Sequence, residues 1–188
     1  MHRDHLLAIL GRYLDRHPED GGRVEQVRGF VRAHADCFLR SCVEGHVTGS
    51  AWILSPDRRA VLLTHHRKLA RWLQLGGHAD GDTDPLCVAL REAREESGLR
   101  ELTPVAPDDE PLPLDVDVHV IPARGLDPAH LHYDIRYLLI AAPGQLLHPS
   151  DESHEVRWVA RDRLGELVSE ESMLRMERRA QAMEWPRW

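Results

Sequence analysis

The sequence predicts an α/β domain in which helices cover a mixed sheet, preceded by a helical N-terminal extension. With 188 residues, the chain is long enough to bury a core without disulfides or other cross-links. Its hydrophobic pattern changes along the chain, from helical spacing to strand-like segments, then to one clearly marked helix, further strands and a last helix. That succession is typical of a mixed sheet packed between helices.

Residues 1–44 are expected to form the extension, and residues 45–188 the main domain. Leucines at helical spacing predict a first helix over residues 3–17, which ends before a glycine pair. A second helix is expected at about 24–40, interrupted or bent at Gly29. We expect these helices to pack on the main domain rather than to bind a partner.

Short segments rich in β-branched and aromatic residues predict the strands of the main domain. Residues 47–54 and 60–64, joined by a Ser-Pro-Asp turn, predict a hairpin, and a short strand at 72–75 runs into a double glycine. Further strands are expected at 116–121, 132–141 and 155–159. The last segment, about 161–184, is expected to be a charge-rich helix.

The most clearly marked helix covers Pro85–Ser97. Asp84 is a suitable N-cap, Pro85 suits the first helical position and Gly98 suits the residue after the last turn. The apolar residues expected to face inward are Leu86, Leu90 and Ala93.

Another face of this helix carries three glutamates, Glu92, Glu95 and Glu96. Their spacing of i, i+3 and i+4 places the carboxylates on one side, where like charges repel. A solvated acidic surface is one explanation, and a divalent cation is the other. Mg²⁺ takes carboxylate oxygens and shares its remaining positions with water and substrate phosphates. Because the opposite face is apolar and a double glycine precedes the helix, we favour the metal site.

The segment from Gly77 to Leu99 resembles the Nudix box, G-x5-E-x7-R-E-U-x-E-E-x-G-U, where U is aliphatic. The fixed positions that match are Gly77, Arg91, Glu92, Glu95, Glu96 and Gly98. The order of the predicted strands and Trp72, before the double glycine, extend the resemblance to about residues 45–160.

The box departs from the family pattern at two positions. Thr83 stands where the family has its first glutamate, and Asp82 and Asp84 beside it are candidates to replace that carboxylate. Ala93 is smaller than the usual aliphatic residue. Neither departure touches the Arg-Glu and Glu-Glu pairs, so activity is expected.

The resemblance implies a Nudix-type α/β/α sandwich and a pyrophosphohydrolase that cleaves a diphosphate linkage in a nucleoside diphosphate derivative. It implies Mg²⁺ or Mn²⁺ held by Glu92, Glu95 and Glu96, with Arg91 orienting the carboxylates. The general base would be a box glutamate, Glu95 or Glu96, or one from a later loop. Glu152 and Glu155 are the later candidates, although exposed loop charges would look the same.

Histidine is abundant, with 13 residues, and several lie near the box or on predicted strands. His130, His132 and Asp134 alternate and should share a strand face, as should Asp117 and His119 on a neighbouring strand. These groups could contact substrate, bind a second metal or hydrogen-bond to one another. The candidate substrate-binding residues are His78, His119, His132, Arg67 and Lys68.

Composition limits the partners. A net charge of −7 argues against a nucleic-acid polymer, and an acidic protein acting on phosphates needs a metal to offset repulsion. No apolar run reaches the roughly 18 residues of a membrane helix, and no secretory-type run follows the N-terminus. We therefore expect a cytoplasmic enzyme with a small-molecule diphosphate substrate. The oligomeric state stays open, with a homodimer among the options.

Three other functions compete with the hydrolase. A catalytically weak, nucleotide-binding regulatory module with the same fold would explain Thr83. A histidine-ligated zinc hydrolase ranks lower, because no H-E-x-x-H or comparable spacing occurs. The remaining alternative is an isomerase acting on a prenyl diphosphate, which shares the family fold.

Overall fold

The computed structural model describes residues 2–107, 110–125, 128–151 and 153–183. These residues form a mixed sheet of eight strands with helices on both faces, which confirms the predicted fold class. The helices are α1 (Asp4–Arg16), α2 (Gly21–Ala33), α3 (Pro85–Ser97) and α4 (Glu171–Ala182). The strands are β1 (Gly45–Leu54), β2 (Ala60–His66), β3 (Arg71–Leu73), β4 (Leu75–His78), β5 (Leu102–Pro104), β6 (Asp115–Ile121), β7 (His130–Ala141) and β8 (Ser153–Ala160).

Strand β1 organises the sheet. It pairs in parallel with β7 along its whole length, while its other edge pairs antiparallel with β4 and then, at its end, with β2. Beyond these, β7 pairs antiparallel with β6 and β5, and β2 pairs antiparallel with β8 and β3. The double glycine of β4 is therefore a direct neighbour of the central strand.

The side chains of β1 enter two separate cores. Ala51 and Ile53 face a core shared with α1, α2 and α3. Trp52 and Leu54 face a second core shared with α4. Because successive side chains of a strand point to opposite faces, this alternation produces the α/β/α sandwich.

The N-terminal helices pack on the main domain, as expected. Leu6 and Leu10 of α1 and Val24 and Val27 of α2 are fully buried in the core that they share with the sheet. The predicted limits of α2 were wrong, since the helix begins at Gly21, runs through Gly29 and ends at Ala33. The break after α1 is a 3-10 turn at Pro18–Asp20, which begins with a proline and lies before the glycine pair.

Other boundaries also differ from the prediction. The strand expected at 72–75 is two strands, β3 on β2 and β4 on β1. Strand β5 was not predicted, because a segment of three residues has too little pattern to detect. The last helical segment divides into a 3-10 turn, Arg161–Glu166, and α4. Within the described ranges, no helix has the length and apolar character needed to cross a membrane.

Helix α3 has the predicted limits and caps. The Asp84 carboxylate accepts a hydrogen bond from the Leu86 amide at 2.9 Å, and Gly98 has a left-handed φ of 77°. The predicted inward stripe packs against the core: Ala93 is fully buried, and Leu86 and Leu90 are half-buried side chains at the edge of that core. Helix α3 packs so closely on β1 that there is no room for a side chain at Gly49, where a Cβ would lie 2.8 Å from the Cβ of Val88.

Candidate functional site

A cleft of about 1010 Å³ lies between α3, β4 and the ends of β6 and β7. Ligand pockets typically measure roughly 300–1,000 Å³, so a nucleotide-sized molecule can enter it. Of the residues singled out from the sequence, those that line it are Arg91, Glu92, Glu95, Glu96, His78, His119, His132, Lys68, Asp117 and Asp134.

The carboxylates of α3 meet the double glycine of β4. Glu92 is half-buried against Gly77, where a Cβ would lie 2.5 Å from the Glu92 carboxyl carbon. Glu96 is buried, and its Oε2 accepts a hydrogen bond from the Gly76 amide at 3.0 Å. The Glu95 side chain is 60% exposed. Because Gly76 and Gly77 have no side chains, the carboxylates of α3 can lie against β4 and reach the cleft.

Arg91 holds two of the carboxylates and ties them to the sheet. Its Nη1 donates to Glu92 Oε1 at 2.6 Å and to Glu95 Oε2 at 3.4 Å. Its Nη2 donates to the backbone oxygen of His78 at 2.8 Å. Burial raises the pKa of Glu92, and the neighbouring Arg91 opposes that rise. The guanidinium thus contacts two of the three carboxylates and the backbone of β4 at once.

The donor chemistry of these carboxylates suits a hard divalent cation, although they are not among the described groups whose ligand atoms lie within 4.8 Å of one another. Glu92, Glu95 and Glu96 all line one cleft, and the space that a Cβ at Gly77 would fill is taken by a carboxylate. Oxygen donors of this kind suit Mg²⁺ or Mn²⁺. The open cleft beside them leaves room for water and phosphate oxygens.

The floor of the cleft contains a buried ion-pair network that sequence reasoning missed. Asp134 accepts hydrogen bonds from Thr48 Oγ1 at 2.8 Å, Ser50 Oγ at 2.7 Å and Arg136 Nε at 2.7 Å. Burial alone would raise the pKa of Asp134, but the charge of Arg136, together with His119 and the hydrogen bonds from Arg136 and Ser50, outweighs it and the pKa is lowered.

Arg136 also pairs with Asp115 at 3.3 Å and Asp117 at 3.0 Å across the β6–β7 pair. The alternation of charged residues along β6 and β7 is the sequence signal that points to Asp115 and Arg136. Asp117 and Asp134 therefore hold the floor of the cleft together, and Arg136 links them.

Five histidines gather at one end of the cleft. Parallel pairing of β1 with β7 places His46 beside His132, and antiparallel pairing of β7 with β6 places His132 beside His119. His46 was not identified from the sequence, because it lies 86 residues from His132. Their Nε2 atoms are 3.1 Å apart. The His130 and His78 rings lie 4.9 Å and 4.8 Å from that of His46.

Burial keeps the inner histidines neutral. It lowers the pKa of His132 to about 2 and that of His78 to about 4, with neighbouring imidazoles and, at His78, Arg40 acting in the same direction. A neutral imidazole has one hydrogen-bond donor and one lone pair. The cluster can therefore contact a ligand without adding fixed charge to the cleft.

Other candidates lie away from the cleft or outside the described residues. The Arg67 guanidinium donates to the Ser153 carbonyl at 3.1 Å, and Arg67 is not among the cleft residues. Glu155 is exposed on β8 and likewise lies outside the cleft, whereas Glu152 falls outside the described residues.

The aspartates beside Thr83 do not replace the family's first glutamate. The Asp82 carboxylate accepts from the Asp84 amide at 3.0 Å, and the Asp84 carboxylate caps α3. Neither residue, nor Thr83, lines the cleft. The expectation that a flanking aspartate substitutes in the site is not supported by this geometry.

Comparison with known proteins finds one family across the main domain. The NUDIX domain model matches residues 45–180. A Mycobacterium tuberculosis protein is 32% identical over 119 residues, which cover 60% of this chain and 50% of that protein; its name, 8-oxo-dGTP diphosphatase 3, is a provisional one. The chain thus spans about half the length of the curated relatives that it matches.

Solved structures share the fold. A NUDIX family hydrolase from Clostridium perfringens superposes with a TM-score of 0.58 at 24% identity, covering 74% of this chain and 98% of the other. An Ap4A hydrolase from C. elegans gives a TM-score of 0.58 at 18% identity, covering 72% and 95%. At these identities the likeness concerns the fold alone.

Proposed function

This chain belongs to the Nudix family, and we propose that it is a pyrophosphohydrolase that cleaves a diphosphate linkage in a small nucleoside diphosphate derivative. The observation that carries the proposal is the placement of Glu92, Glu95 and Glu96 on the wall of a nucleotide-sized cleft, oriented by Arg91. Family membership supports the reaction class, and the cleft supports a small-molecule substrate rather than a polymer.

Glu92, Glu95 and Glu96 would hold Mg²⁺ or Mn²⁺, which neutralises phosphoryl charge and makes a water nucleophilic. Arg91 keeps Glu92 and Glu95 in place, and the Gly76 amide fixes Glu96. Glu95 is the most exposed of the three carboxylates, and its contact with Arg91 is longer than that of Glu92, so we propose that it takes the proton of the attacking water. Glu152 remains the alternative base.

The remaining wall of the cleft supports contacts with the rest of the substrate. Leu69 and Val120 are 49% and 64% exposed and line the cleft, as an apolar surface for the flat face of a base. His78, His119 and His132 offer hydrogen bonds to its polar edge, and Lys68 offers a charge to a phosphate. Arg67 is left out of these contacts because it is bonded to Ser153.

A metal-dependent hydrolysis screen tests this proposal. The purified chain is assayed with Mg²⁺, Mn²⁺ or EDTA against nucleoside triphosphates, 8-oxo-dGTP, dinucleoside polyphosphates, nucleotide sugars and NADH. The 8-oxo-dGTP is included because it appears in the name of the mycobacterial relative. We expect turnover of at least one class that requires the metal. Turnover that EDTA does not reduce, or no turnover of any substrate class, would refute the proposal that the protein is a metal-dependent hydrolase.

A regulatory module that binds a nucleotide without cleaving it is the second candidate. Thr83 favours it, because the first box glutamate is absent and neither Asp82 nor Asp84 replaces it in the cleft. The same compounds, followed by isothermal titration calorimetry, separate the two functions. Saturable binding together with no product after prolonged incubation would identify the module.

A further inference from the structure

The histidine cluster has a geometry that the carboxylate site does not require. One ligand nitrogen from each of His46, His130 and His132 lies within 4.8 Å of the other two. Nitrogens that share one zinc ion at about 2.0–2.1 Å in tetrahedral geometry stand roughly 3.3 Å apart. The Nε2 atoms of His46 and His132 are already 3.1 Å apart. We propose that His46, His130 and His132 form a second metal site, selective for Zn²⁺ and separate from the glutamates.

The backbone holds these ligands in place. His46 and His132 are partners in the parallel β1–β7 pair, so the strands fix their separation, and His130 projects from the same face of β7. His46 is only 4% exposed, which limits the rotamers available to its ring. A hydrogen bond between His46 and His132 would account for their contact, but it would not explain why a nitrogen of His130 lies beside them as well. A shared metal ion explains all three.

The backbone fixes the tautomer of His130. Its Nδ1 is 3.0 Å from the carbonyl oxygen of Pro128, and a carbonyl can only accept, so the proton must lie on Nδ1. The Nε2 lone pair of the neutral ring is then free for a metal. A backbone carbonyl that fixes the tautomer in this way is the usual partner of a metal-bound histidine.

The fourth position of the site can be filled either by a protein side chain or from the cleft. The His78 ring lies 4.8 Å from that of His46 and 4.9 Å from that of His132, and both His78 and His132 line the cleft. A fourth ligand can therefore be His78, water or an oxygen of the bound substrate. Imidazole nitrogens favour Zn²⁺, whereas the carboxylates of α3 favour Mg²⁺ or Mn²⁺.

Zinc binding in the presence of excess Mg²⁺ tests the site directly. The full chain is stripped of metal, and Zn²⁺ is titrated by calorimetry with Mg²⁺ at millimolar concentration to occupy the carboxylates. We expect one zinc per chain. His130→Ala, at a half-buried position, should weaken binding by at least about tenfold, since even outer-shell partners of a metal cost that much. His46→Asn, checked for folding by circular dichroism, should do the same.

Two controls locate the ion. Apart from the carboxylates of α3, the described residues include a second group that could hold a metal, His34, Asp36 and Cys42. His34→Ala is therefore a matched histidine loss that should leave zinc binding unchanged. The double variant Glu95→Gln/Glu96→Gln should also retain the zinc. Absence of zinc binding to the wild-type chain would overturn the proposal, as would loss of binding in either control or full retention in His130→Ala. Replacing Zn²⁺ with Co²⁺ gives a second readout. Cobalt held by histidine nitrogens absorbs visible light but lacks the charge-transfer absorption of a bound thiolate, which distinguishes this site from the group that contains Cys42.

Discussion

Gly77 determines how closely the carboxylates of α3 approach the sheet. A Cβ there would meet the end of the Glu92 side chain, which is flexible, whereas a Cβ at Gly76 would meet the backbone of β1. Gly76 also has a φ of 155°, a backbone conformation that other residues rarely adopt. The two glycines therefore have different roles: Gly76 permits the strand pairing, and Gly77 leaves room for the Glu92 carboxylate.

Gly77→Ala should lower activity with little change in stability. The new methyl displaces the Glu92 carboxylate, and a misplacement of about 1 Å near reacting groups can cost on the order of 100-fold in rate. We expect kcat/KM to fall by roughly 10- to 100-fold while the urea unfolding midpoint is nearly constant. Gly22→Ala, where a Cβ meets nothing within 4 Å, is the control. A variant with wild-type kcat/KM would show that the position of Glu92 does not matter.

Glu95→Gln and Glu96→Gln should each lower kcat by at least roughly 100-fold, because each removes a carboxylate that would hold the divalent cation, and the cation is what stabilises the charge on the reacting phosphoryl group. Glu95 is the safer test, since it is 60% exposed and its loss leaves no buried group unpaired. Steady-state kinetics and circular dichroism are the measurements. Glu101→Gln, an exposed glutamate outside the cleft, should behave as wild type. Wild-type rates in both site variants would contradict the proposed mechanism.

Helix α2 shows how a packed element overrides a local signal. Gly29 suggested a break, yet the helix continues through it from Gly21 to Ala33. Val24, Val27 and Val31 are fully buried against the sheet, and their burial outweighs the helix cost of one exposed glycine. That glycine therefore lowers the stability of an otherwise well-packed helix.

Gly29→Ala should raise the free energy of unfolding by about 0.4–1 kcal/mol, since alanine has less freedom to lose in the unfolded chain. A Cβ at this exposed position meets no atom within 4 Å. Urea unfolding followed by circular dichroism measures the change. Gly49→Ala should have the opposite sign, because its Cβ would lie 2.6 Å from the Pro85 carbonyl oxygen. A destabilised Gly29→Ala variant would mean that the helix is bent there after all.

Across the whole molecule, buried ion pairs tie the N-terminal extension to the sheet and to α4. Arg179 Nη2 donates to Asp20 Oδ2 at 2.7 Å, and its Nη1 donates to the Tyr13 hydroxyl at 2.6 Å and to Asp115. Arg175 donates to Asp115 at 2.7 Å. Asp115 also meets Arg136, so the network extends from the extension to the floor of the cleft. The N-terminal helices are thus joined to the main domain by charge as well as by apolar packing.

This network should make the protein sensitive to acid. Burial would raise the pKa of Asp20, but hydrogen bonds from Tyr13 and Arg179 outweigh it and the pKa is lowered. A carboxyl whose folded pKa is depressed stabilises the fold above its unfolded pKa of about 3.9. That contribution is lost as the pH falls through the folded pKa.

Asp20→Asn should therefore lower the free energy of unfolding by about 1–3 kcal/mol at pH 7. The difference from wild type should shrink as the pH falls below about 4, where Asp20 begins to take up a proton in the unfolded chain while the folded protein still keeps it charged. Urea unfolding at a series of pH values measures it. Asp15→Asn, on an exposed position of α1, is the control and should show no such difference. If the difference in free energy of unfolding between the two proteins stays constant with pH, Asp20 stabilises the fold through packing and not through its charge.

The sequence alone determined the features that depend on neighbours along the chain. Asp84, Pro85 and Gly98 set the ends of α3, and the spacing of Glu92, Glu95 and Glu96 placed the carboxylates together, because caps and i, i+4 contacts are local. The order of elements was also sufficient for the α/β/α fold class.

Only the tertiary structure decided which distant residues meet. The register of the parallel β1–β7 pair brings His46 to His132, and pairing of β6 with β7 brings Asp115 to Arg136. Likewise, the ends of α2 and the existence of β5 depend on packing against the sheet rather than on local spacing. Strand register over long separations is set by the fit of buried faces across the whole domain, and no short segment of the sequence contains that information.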